Sequence, residues 1–107
     1  MLEEKKNGQM ETKQTEVKIE IDEQTSNGIY SNLALISHSE SEFILDFIFF
    51  QPQQGKAKVR SRIITSPSHL KRMLAALQDN LAKYEAHFGT IKDNPLQINS
   101  EKPKYYN

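Results

Sequence analysis

Val17, Ile19 and Ile21 alternate with Lys18, Glu20 and Asp22. A period of two with one apolar face predicts a short strand. Gln24–Gly28, reading QTSNG, breaks the pattern as a loop, and its Asn-Gly pair suits positive φ. Residues 29–38 (IYSNLALISH) and 42–51 (EFILDFIFFQ) are long enough and apolar enough for two strands. Ser39-Glu40-Ser41 predicts a hairpin connection between them. Gln51-Pro52-Gln53-Gln54-Gly55 forms the next turn, because proline does not sit in a central ladder. Residues 57–65 (AKVRSRIIT) then read as a strand that is basic on one side.

The period changes after Ser66-Pro67, an N-cap followed by proline at the first helical position. Leu70, Met73, Leu74, Leu77, Leu81, Tyr84 and Phe88 fall within a stripe of about 100° on a helix. Gly89 supplies the stop. One helix is therefore expected over residues 67–88, with Ile91 tucked under its end.

These elements predict an α+β fold, β-β-β-β-α. It is a four-stranded antiparallel meander followed by one long helix packed on one sheet face. Residues 1–15 carry no periodicity and read as a disordered arm, 16–92 as a single domain, and 93–107 as a loose tail.

Register follows from parity. If Leu33 meets Phe47 and Phe47 meets Val59, one face carries Leu33, Leu35, Phe43, Leu45, Phe47, Phe49, Val59 and Ile63. That face is assigned to the helix, with Leu77 deeply buried at its centre. The opposite face carries Tyr30, Ile36, Ile44, Ile48, Phe50 and Ile64 among polar residues that include Asp46 and Arg60. So large an apolar patch is unusual on a monomer, and a second copy of the chain is its economical cover. These six residues are the expected interface. Asp46, an acid inside an apolar strand, is expected to pair with Arg60 across the second hairpin.

Composition sharpens this picture. The chain has 107 residues, 36% of them hydrophobic and 26% charged, which suits one small domain. No apolar run approaches the roughly 18 residues of a bilayer span, so no membrane contact is expected. Met1 leads into Leu-Glu-Glu-Lys-Lys rather than an apolar stretch, so no signal peptide is expected. Cysteine is absent, which removes disulfides and thiolate chemistry and suits a cytoplasmic compartment.

The net charge of zero is a sum of unlike parts. Residues 1–46 hold ten acids and four bases, 47–78 hold no acid and six bases, and 79–107 hold four of each. Lys58, Arg60, Arg62, Lys71 and Arg72, with Lys56, form a candidate anion or nucleic-acid contact. Pairing with the acidic segment, within or between chains, is the simpler use of those charges. No aromatic side chains are interleaved with them to stack on single strands.

Catalytic signals are sparse. His69 and His87 lie 18 residues apart, about 27 Å along a helix, too far to share a metal. His38 sits among serines and Glu40 at a hairpin end, without a nucleophile elbow. No GxGxxG, GxxxxGK[ST] or HExxH occurs. No cofactor, metal or catalytic residue is expected.

Tyr30-Ser-Asn-Leu-Ala34, Ser41-Glu-Phe43, Asp46-Phe47, Ser66-Pro67, Lys71-Arg-Met-Leu74, Ala76-Leu77 and Leu81…Tyr84-Glu85…Phe88-Gly89 together resemble a small bacterial family of unknown function, over roughly residues 28–92. The resemblance implies a cytoplasmic bacterial protein and no catalytic residue. In element order alone, four antiparallel strands and a long helix are similar to the export chaperone SecB. The function expected is a non-enzymatic homo-oligomeric interaction or scaffold protein, with a chaperone-like variant. A nucleic-acid-associated protein using the basic 56–72 segment is the alternative.

Overall fold

The computed structural model describes residues 15–93. The arm expected at 1–15, except its last residue, and the tail expected at 93–107, except its first, lie outside the described residues. The elements are α1 (Glu23–Ser26), β1 (Leu33–His38), β2 (Phe43–Gln51), a 3₁₀ turn (Pro52–Gln54), β3 (Lys56–Thr65) and α2 (Pro67–Phe88). The chain is α+β, an antiparallel three-stranded sheet followed by one long helix.

The expected first strand is absent. Residues 15–22 have no regular structure, and Val17, Ile19 and Ile21 are exposed. Alternation alone does not make a strand without a neighbour to complete its hydrogen bonds. Part of the expected loop at 24–28 is instead the single turn α1. Asp22 caps it, its Oδ1 accepting the Thr25 N–H at 2.7 Å. Hydrogen bonding from Thr25 holds the Asp22 carboxyl below its ordinary value.

The sheet order is β1-β2-β3, so β2 is central and holds both buried hydrophobic residues, Leu45 and Ile48. The first hairpin is one residue tighter than expected. Ser39 N–H donates to Glu42 O at 2.9 Å, and Ser39 Oγ accepts the Ser41 and Glu42 N–H groups. Only Glu40 and Ser41 are left in the loop. Leu33 therefore meets Ile48 rather than Phe47, and Ala34 meets Phe47. A one-residue slip turns every β1 side chain to the other face.

The second hairpin differs by two residues. The 3₁₀ turn and Gly55, at φ 63°, make a four-residue loop closed by Gln51 opposite Lys56. The partner of β2 then steps from Val59 to Ser61 between Ile48 and Phe47, leaving Arg60 as a bulge. Loop length and bulge each move the register by one. Asp46 consequently faces Arg62, and the expected Asp46–Arg60 pair is not formed.

One face of the sheet thus carries Leu33, Leu35, Ile44, Asp46, Ile48 and Arg62, and the other Ala34, Ile36, Phe43, Leu45, Phe47 and Ile63. Asn32 extends the β1 edge of the ladder with its side chain. Its Nδ2 donates to Phe50 O at 3.0 Å, and its Oδ1 accepts the Phe50 N–H at 2.8 Å.

The helix is where it was expected, over Pro67–Phe88, but it does not cover the sheet. Packing between described elements is concentrated between adjacent strands. Leu77, expected at the centre of a core, is 59% exposed. The cause is the joint: β3 ends at Thr65 and α2 starts at Pro67, leaving only Ser66 between them. Connections that reverse the chain between a strand and a helix usually take about 2–6 residues.

Candidate interaction surface

Ser66 is extended, and its Oγ accepts the His69 N–H at 3.2 Å, capping α2. Pro67 follows with φ already suited to a helix. At the far end Gly89, at φ 97°, donates its N–H to Glu85 O at 2.9 Å. Glu85 Oε2 then accepts the Ile91 N–H at 2.9 Å. This cap places Ile91 in a groove lined also by Leu77, Leu81, Tyr84 and Phe88. The rings of Tyr84 and Phe88 stand 4.9 Å apart. Leu74, Leu81 and Tyr84 are exposed, and Phe88 is 69% exposed. Leu70 and Met73, nearest the sheet, are half-buried. An apolar ridge of this length on one face of a helix stands without a covering element among the described residues.

Composition and spacing had assigned this ridge to the chain's own core. The missed signal was the one-residue joint at Ser66, which is legible in the sequence once the strand end is known.

The six residues expected to form a sheet interface are divided by the register. Ile44, Ile48, Phe50 and Ile64 share the face of Asp46, whereas Ile36 lies on the other face. Tyr30 precedes β1 and meets Phe49 edge-on at 6.1 Å, with Phe49 on the face of Ile36. Ile48 is buried at 3% exposure, while Ile36 and Ile64 are open. A shallow groove on the face of Ile36 is lined by Thr25, Gly28, Ile29, Phe47, Ser61 and Ile63.

The basic residues are also separated. Arg62 is taken up by Asp46: Nε and Nη2 donate to Oδ1 and Oδ2, both at 2.8 Å. This two-pronged contact fixes the guanidinium against a carboxylate that is fully enclosed. Lys58 stands opposite Phe49, Arg60 occupies the bulge, and Lys71 and Arg72 lie in the early turns of α2. β3 is an edge strand, and Lys56, Lys58 and the Arg60 bulge blunt such an edge against unwanted strand pairing.

His38 packs on Phe43 at 5.3 Å, and His69 and His87 sit near opposite ends of α2. Among the described residues no three histidine or carboxylate side chains gather at metal-binding distance. No described helix is long and apolar enough to cross a membrane.

No curated protein and no solved structure matches the chain. A family profile matches residues 2–93, which includes the whole segment that carried the resemblance noted from sequence. The chain belongs to the family described as protein of unknown function (DUF3467).

Proposed function

We propose that the chain is a homo-oligomeric interaction module, a scaffold unit whose work is association rather than catalysis. The observation that carries this reading is the undocked apolar ridge of α2, from Leu74 to Phe88, with Leu77 at 59% exposure. The described residues bury only two hydrophobic side chains, Leu45 and Ile48. Marginal stability leaves so thin a core in need of further apolar burial. A second copy supplies it, as in obligate dimers whose monomers do not fold alone.

Sedimentation equilibrium at micromolar concentration tests the reading. A mass of two or more chains is expected, and a monomer with a stable fold would overturn it. A salt titration against DNA and RNA is expected to show no binding, since Arg62 is engaged by Asp46 and the other basic side chains suit an edge strand. Binding that weakens steeply with salt would move the reading to nucleic acid.

A further inference from the structure

The ridge of α2 has a finer period than a generic amphipathic helix. Leu70, Leu74, Leu77, Leu81, Tyr84 and Phe88 follow at steps of 4, 3, 4, 3 and 4, with Met73 flanking the row in its first turns. Ile91, held by Glu85 beyond the helix end, continues the series with a step of 3. Steps of 3 and 4 in strict alternation give a period of 3.5, the seam of one helix against another helix. The seam therefore selects a helix as its occupant, and α2 is the only described helix longer than one turn.

We propose that α2 pairs antiparallel with α2 of a second copy of this chain, in a two-fold dimer centred near Gln78. The proposal rests on the homo-oligomer reading and names its surface.

Two features set the direction. In the antiparallel register that aligns the two seams, Leu77 packs on the copy's Leu81, Leu74 on its Tyr84 and Leu70 on its Phe88. Each aromatic ring meets a leucine, and no two aromatics compete for one layer. The same register brings exposed Lys71 beside the copy's Glu85, twice by symmetry, with Gln78 beside its own symmetry mate. Glu85 Oε2 also accepts the Ile91 N–H, which holds this side chain at the end of the helix. In a parallel pair the flanking contacts would be Met73 with Gln78 and Asn80 with Glu85, with no opposite charges. Flanking charges of this kind choose partner and orientation, while the apolar seam supplies the attraction.

The chain contains no cysteine, so one introduced thiol reports cleanly. In the full chain, Gln78→Cys treated with a short bis-maleimide is expected to give a covalent dimer, and Ala86→Cys, on the side of the helix away from the seam, is expected to give none. Charge reversal on the flank of the seam supplies a second readout, and the loss of the Ile91 cap in Glu85→Lys cancels when the heterodimer is compared with the two homodimers together. Lys71→Glu alone, or Glu85→Lys alone, sets like charges together twice and weakens its own dimer by about tenfold at low salt. Mixed together, the two variants restore both attractions and are expected to form heterodimers in preference to either homodimer. A dimer that neither links at position 78 nor favours the heterodimer would overturn the antiparallel α2 pair and leave the homo-oligomer reading standing. A folded monomer would overturn both.

Discussion

Asp46 sits at 0% exposure, and its two oxygens accept from Arg62. A buried carboxylate that loses its cation keeps its desolvation cost and forfeits the attraction. Arg62→Leu is therefore expected to destabilise by about 2–4 kcal/mol, toward the lower figure because half of the Arg62 side chain meets solvent. Arg60→Leu, in the exposed bulge, is expected to change stability by less than about 0.5 kcal/mol. Urea denaturation of both variants checks the order, and the reverse order would return the register to the one parity suggested. The sequence made it plain that Asp46 needs an arginine across the hairpin. It did not reveal which one, because the answer depends on a bulge whose only local trace is a run of exposed bases. Asp22 adds a pH dependence at the same scale. Its carboxyl is held low by Thr25, so its cap on α1 is present above the ordinary carboxylate range and is lost as pH falls through the lowered value. The Thr25 amide resonance followed by NMR is expected to shift below that range, and a midpoint within it would contradict the cap.

Among the elements, α2 was legible to the residue, because Ser66-Pro67 and Gly89 state its ends in local chemistry. The strands were legible as apolar runs, whereas their pairing was not. Loop length decides register, and one residue in the Ser39–Glu42 turn exchanged the faces of β1. The expected strand at Val17–Ile21 failed for a related reason: period two marks a chain able to join a sheet and says nothing about a free edge to receive it. The second loop turns on Gly55, whose φ of 63° lies in the left-handed region with open space where a Cβ would stand. Gly55→Ala is thus expected to cost about 1 kcal/mol from backbone strain alone, without any clash. A loss above about 3 kcal/mol, measured by denaturant, would mean the loop is packed rather than open. Asn32 makes the opposite case, a side chain standing in for backbone at the end of β1.

For the whole molecule the deciding quantity is where α2 goes. A helix joined to its strand through Ser66 alone keeps its apolar ridge in solvent, and the sheet keeps Ile36 and Ile63 exposed. Both deficits are intermolecular if the chain associates, so stability must follow mass action: a dimer unfolds at a temperature that rises with chain concentration. The thermal midpoint is expected to climb by several degrees between low and high micromolar concentration. Leu77→Ala should lower it across that whole range, because the ridge is covered wherever the chain is folded. Lengthening the joint gives the converse. Four residues of Gly and Ser inserted after Ser66 would let α2 reverse onto its own sheet, so association should weaken and the midpoint lose its concentration dependence. A midpoint independent of concentration in the unaltered chain would show instead that the ridge is satisfied within one copy.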